Sequence, residues 1–186
     1  GANKAALGAL VFKSLLQKGA DAHYTFHPLL REFAAEQLGT AVAEQVRSRH
    51  ANYFAAFIAT RSQTQHRPTY LQDLPDLIDA YDDLLLAWRR AVDWLVSSEA
   101  ETAWGWVNQM RRPLTRLHFQ RQWLYAARTL FGDARRKVEE YGWHAADAGQ
   151  HQRLLHAQLV VVEGNNARIL GDLDAAFAAG EFRQLL

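Results

Sequence analysis

The sequence predicts an all-α chain of antiparallel helical hairpins, with one small β-hairpin near its start. Three observations carry that prediction. From Leu29 onward, apolar residues recur at helical spacing. No alternating apolar–polar pattern of strand type appears after residue 27. The polar breaks between periodic runs are short, which favours antiparallel neighbours.

The elements follow in order. Ala5 to Phe12 reads as a short helix. Ser14 to Gln17 and His23 to Phe26 read as strands, joined by the turn chemistry of Lys18-Gly19-Ala20-Asp21. A lone hairpin is marginal in water, so it must pack on its flanking helices. Pro28 suits the first position of the next helix, where its missing N–H costs little. Leu29, Leu30, Phe33, Ala34 and Leu38 give that helix one apolar face, and Gly39 ends it.

Thr40 is an N-cap for a helix to about Thr60, striped by Val42, Val46, Tyr53, Phe54, Phe57 and Ile58. Residues 61–68 read as a polar loop. A long helical run then reaches Val96, with Leu77, Tyr81, Leu84, Trp88, Ala91, Val92 and Leu95 as its stripe. Further helices are expected over 100–117, 119–131 and 133–146, with Pro113 kinking or breaking the first. The last pair, 150–170 and 172–186, meets at Gly171.

Composition narrows the function. The chain has 186 residues, enough for a sizeable core. Its net charge is +1, which argues against nucleic acid as a direct partner. It contains no cysteine, so disulfides and thiolate chemistry are excluded, in keeping with a cytoplasmic setting. No signal peptide or apolar run of membrane-spanning length is visible, which argues against a membrane partner. The chain opens on Gly1-Ala2 and stops at Leu185-Leu186 inside a helical pattern, so it reads as a piece of a longer protein.

The segment from Tyr24 to Leu38, YTFHPLLREFAAEQL, resembles the end of the winged-helix module of STAND-class signalling ATPases, the NB-ARC and NACHT-like switch proteins. Phe26-His27-Pro28 falls on their Met-His-Asp motif, with Pro28 in place of the aspartate. Three further segments are similar to the same family. They are Gln45 to Phe54, Asp82 to Trp88, and Trp123 to Ala127. Where the family has glycines before the last of these, this chain has Phe119-Gln120-Arg121. Gly164, Gly171 and Ala176 resemble the small-residue positions of one tetratricopeptide (TPR) unit, although Gly180 stands where that repeat prefers an aromatic.

The resemblance implies that residues 1–38 are the C-terminal part of a winged helix. Residues 39–186 are then the first part of a TPR-like right-handed helical sensor, its last repeat at about 150–186. It implies a non-enzymatic regulatory fragment that senses a ligand or protein partner, relieves autoinhibition and permits the parent to oligomerise. ADP or ATP with Mg belongs to the parent's nucleotide-binding domain, so the fragment, read as a monomer, holds no cofactor. The alternatives are a freestanding TPR-like scaffold or part of a STAND-type transcription activator.

His27 is the sharpest candidate site. In the family the motif histidine reaches the ADP β-phosphate; the plainer alternative is a histidine that only caps its helix. Arg111, Arg112, Arg116, His118 and Arg121 form a basic cluster interleaved with Phe119 and Trp123. It reads as an anionic-ligand or acidic-partner face, or as a solvated helix surface, which is what charge runs usually are. His144, Asp147 and His151, with His156 nearby, would align as metal ligands on one unbroken helix. Gly149 is expected to break that helix, leaving surface histidines and no metal site. Trp88 is expected in the core. Trp104 and Trp106 cannot share a helix face, so one of them must be exposed or meet another helix.

Overall fold

The structure is a computed structural model that describes residues 4–19, 24–62, 70–97 and 100–176. It is mostly helical, with one antiparallel hairpin, as the sequence predicts. The order is α1 (Lys4–Phe12), β1 (Leu16–Lys18), β2 (Tyr24–Phe26), α2 (Pro28–Gln37), α3 (Thr40–Ser62), α4 (Tyr70–Asp79), α5 (Tyr81–Trp94), α6 (Ala100–Gln120), α7 (Leu124–Glu140) and α8 (Gln150–Ile169). Two compact units divide within α3, at residues 1–48 and 49–186.

In the first unit, β1 pairs with β2 in the register Leu16–Phe26, Gln17–Thr25 and Lys18–Tyr24, and α1 packs on β1. The first strand begins later than expected because Ser14 takes a positive φ of 57° and ends α1. His23 and the second half of the expected turn, Ala20 and Asp21, lie outside the described residues. Leu16 is the sole buried side chain among the described residues of this unit. The apolar face expected on α2 exists as a stripe but is unpartnered: Leu29, Phe33 and Leu38 stand exposed.

The second unit holds the core. The C-terminal half of α3 enters it through Ala51, Ala55 and Ile58. Of the expected stripe of α3, Ile58 is buried and Phe54 and Phe57 pack on the core, whereas Val42, Val46 and Tyr53 are exposed. The small alanines let α3 approach closely, an advantage that side-chain hydropathy alone does not rank. The stripe of α4 and α5 is as expected, with Leu77, Leu84, Trp88, Ala91, Val92 and Leu95 all buried. That run is two helices rather than one. Ala80 relaxes to ψ 7° between them, although the Leu84 N–H still bonds the Ala80 carbonyl at 2.9 Å. Trp88 meets Phe131 edge to face at 5.2 Å, joining α5 to α7 at the centre of the core.

Other helix limits also differ from expectation. Arg61 and Ser62 extend α3, and 63–69 lie outside the described residues. Pro113 is buried inside α6, which runs on through it despite the lost backbone donor. Gly132 does not end a helix. It lies buried inside α7 against Glu163 of α8, where an added Cβ would sit 3.4 Å from the carboxylate. Residues 141–148 form turns instead of continuing a helix. Of the final expected helix, residues 173–176 are helical, and the rest, Gly180 included, lies outside the described residues.

One device ends four helices. Ser14, Gln122, Gly142 and Gly171 are the residues of positive φ among those described. At each, that residue's N–H and the next one reach back to carbonyls of the last turn. After α6, for example, Gln122 bonds Phe119 at 3.1 Å and Trp123 bonds His118 at 2.8 Å. Gln122 therefore does the work of a glycine, directly after the Phe119-Gln120-Arg121 stretch that stands where the family has glycines. Left-handed backbone costs an L-residue about 1–2 kcal/mol. Gln122→Gly should raise stability by about 0.5–1 kcal/mol, and Gly142→Ala should lower it by about 1 kcal/mol, read from urea midpoints.

Candidate functional site

A groove of about 410 Å³ opens between α6 and α8. From α6 it receives Arg111, Arg112 and Arg116 with Thr115 and Phe119; from α8, Asn165, Asn166 and Arg168 with Val162 and Ile169. The i, i+4 spacing places Arg111 with Thr115, and Arg112 with Arg116, on one flank of α6. Val162, Asn165, Asn166 and Ile169 follow the same rule on α8. Among the described residues, no carboxylate lines the groove.

The base of the groove is unusual. Arg111 is 9% exposed and Asn166 is 6% exposed. The Arg111 Nε and the Asn166 Nδ2 are enclosed and have no hydrogen-bond partner. Among the described residues, no carboxylate pairs with Arg111. Burial, with the Arg112 charge beside it, pushes the Arg111 guanidinium below the usual arginine range. The Thr115 hydroxyl donates to the Arg111 carbonyl at 2.8 Å, so its proton is already used. Guanidinium forks and an amide donor around an acid-free cleft can receive an anion.

The structure divides the basic cluster seen in the sequence. Arg111, Arg112 and Arg116 share the groove, while His118 and Arg121 do not. Arg121 is exposed and lies over the Trp123 ring at 5.5 Å. His118 is a core residue at 0% exposure and is no part of a ligand face. Its Nδ1 lies 2.7 Å from the Leu114 carbonyl, which can only accept, so Nδ1 carries the proton. Its Nε2 lies 2.8 Å from the Tyr81 hydroxyl, which donates to it. Sequence reasoning missed Asn165, Asn166 and Arg168. The one local signal was a pair of asparagines inside a helix, where asparagine is a poor former.

The other candidates fall out separately. His27 caps α2, its Nδ1 accepting the Leu29 N–H at 3.3 Å. Gly149 caps α8 and separates His144 and Asp147 from His151. The His151 ring stacks on Trp104 at 5.5 Å, and His156 bonds Glu139 at 2.7 Å. Among the described residues, no three His, Asp or Glu side chains are grouped to hold a metal. Trp106 is buried, and its Nε1 donates to Asn52 of α3 at 3.1 Å, while half-buried Trp104 meets His151 of α8, so the two face different helices. No described helix is long and apolar enough to cross a membrane. Compared with known proteins, the chain matches no family model, no curated protein and no solved structure.

Burial holds the His118 pKa below its ordinary 6.5, against the opposing pull of the Leu114 carbonyl. The folded chain thus resists a proton that the unfolded chain accepts. The stabilisation of the neutral imidazole is full above the unfolded pKa and is lost as pH falls from there toward the lower folded value. Urea midpoints from about pH 7.5 to about pH 5 should fall less steeply for His118→Gln than for the wild type.

Proposed function

We propose that this chain is a sensor and regulatory segment of a STAND-class signalling ATPase. It recognises a ligand or protein partner, relieves autoinhibition and permits the parent to oligomerise. In this reading residues 1–38 end a winged helix, and 39–186 begin a TPR-like helical sensor of a cytoplasmic protein. The segment performs no chemistry itself, and nucleotide with Mg is held by the parent.

The observation that carries the reading is the state of the first unit. A strand, a capping histidine and a proline-led helix follow one another from Tyr24 to Gln37, in the order the resemblance implies. Around them Phe12 is 91% exposed, and Phe26, Leu29 and Phe33 are exposed as well. An apolar surface of this kind is expected where further protein packs. The His27 tautomer is also in keeping. Because Nδ1 accepts from Leu29, the neutral ring carries its proton on the exposed Nε2, free to donate to a phosphate oxygen. A freestanding helical scaffold is the second reading, favoured by the self-contained core of residues 49–186.

The test separates a phosphate contact from a mere cap. Serine caps a helix well but is too short to reach a phosphate that histidine reaches. In the parent protein, His27→Ser should release bound ADP at least about tenfold faster, the scale of one charge-assisted hydrogen bond, with unchanged melting of the segment. Release at the wild-type rate would remove the switch role, and an upstream gene sequence without a Walker A loop would remove the ATPase reading altogether.

A further inference from the structure

We propose that the groove between α6 and α8 binds a small phosphate monoester. Arg111, Arg112 and the Asn166 amide hold the phosphate, and the organic body rests on Val162, Ile169 and Phe119. The inference deepens the sensor reading and takes its biological meaning from it, but the binding itself can be read on this chain alone.

The unpaired groups at the base of the groove call for an anion. A buried guanidinium without a counter-charge is costly, and a buried donor without an acceptor adds to that cost. Arg111 and Asn166 present both problems at one place, with their polar atoms enclosed beside the same cavity. Exposed Arg112 and Arg168 line the rim, so the positive charge is shared by several side chains. A single carboxylate would neutralise only one of them. A phosphate monoester brings about two charges and three acceptor oxygens at neutral pH, which suits several forks at once.

Size and walls set the rest of the ligand. A cavity of about 410 Å³ lies toward the small end of ligand sites. It suits a single-ring or short-chain ester rather than a dinucleotide. Val162 is buried, Ile169 is partly open at 45% exposure, and Phe119 is exposed beside them. Together they offer an apolar wall next to the charged base. Inorganic phosphate would fill the base and leave that wall wet.

The experiment titrates phenyl phosphate into the purified chain by calorimetry, with inorganic phosphate as the comparison. One-to-one binding is expected, tighter than for inorganic phosphate and weaker at high salt. Arg112→Ala should weaken it at least about tenfold, the scale of one charged hydrogen bond. Arg111→Met, which keeps an apolar stem in the buried position, should abolish it. Exposed Arg136 on α7, paired with Asp133, is the control, and Arg136→Ala should bind as the wild type does. Absence of saturable binding would overturn the proposal. So would equal affinity for inorganic phosphate, or wild-type binding by a folded Arg112→Ala chain. Such a failure leaves the His27 result standing, because ADP release from the parent is read on another residue.

Discussion

Arg135 fixes how α8 lies on α7, and the groove depends on that placement. Its Nε donates to Glu163 at 2.5 Å, and its Nη1 reaches both oxygens of Glu139 at 2.8 Å. Burial alone would raise the Glu139 pKa; hydrogen bonds from His156 and Arg135 outweigh it and hold the carboxyl below its usual range. Gly132 lies under the Glu163 carboxylate, so the helices can close at that point. Further along, Arg128 pairs with Asp172 at 2.7 Å. Part-exposed ion pairs contribute modestly to stability. Here their effect is register: they determine which flank of α8 meets α6. Val162, Asn166 and Ile169 reach the groove because Glu163 is held.

The opposite wall is held by a different chemistry. His118 ties α6 to Tyr81 of α5, and the ring lies among Tyr81, Trp123 and Phe131. Trp88 and Phe131 carry the apolar load nearby. The groove is therefore bounded by one helix fixed through a buried neutral imidazole and another fixed through a charged network. The groove's buried Arg111 is tied into neither of these arrangements among the described residues.

Much of this was legible in the sequence, and the failures have physical causes. The stripe from Leu77 to Leu95, the core position of Trp88, Pro28 at the start of α2 and Gly149 at the start of α8 all follow from local rules. Helix limits failed where tertiary packing overrode those rules. Gly132 and Pro113 look like breakers, yet each lies in the packed interior of a long helix. Gln122 ends α6 although glutamine has no preference for positive φ. On α3, Ala51 and Ala55 join Phe54, Phe57 and Ile58 at the seam, where hydropathy alone favours Val42, Val46 and Tyr53. Half of the groove was visible as the run Arg111, Arg112 and Arg116. The other half was not, because nothing local says that Asn166 on α8 will face Arg111. The same absence placed His118 with the arginines, since adjacency in sequence does not reveal that a ring points into the core.

Arg111 gains its meaning from comparison with Arg135. Both are arginines on helices of one unit, and both are largely withdrawn from water. At Arg135 two carboxylates and a histidine complete the surroundings, and hydrogen bonds to Glu163 and Glu139 overcome burial and raise its pKa. At Arg111 burial acts unopposed, its neighbour Arg112 adds like charge, and the pKa falls. The chain thus shows how it neutralises a guanidinium that serves the fold. Among the described residues it withholds that treatment at Arg111, leaves the Asn166 Nδ2 unsatisfied at the same spot, and places no acid in the cleft. A structural arginine gains nothing from those three conditions together. A receptor for an anion is served by all of them.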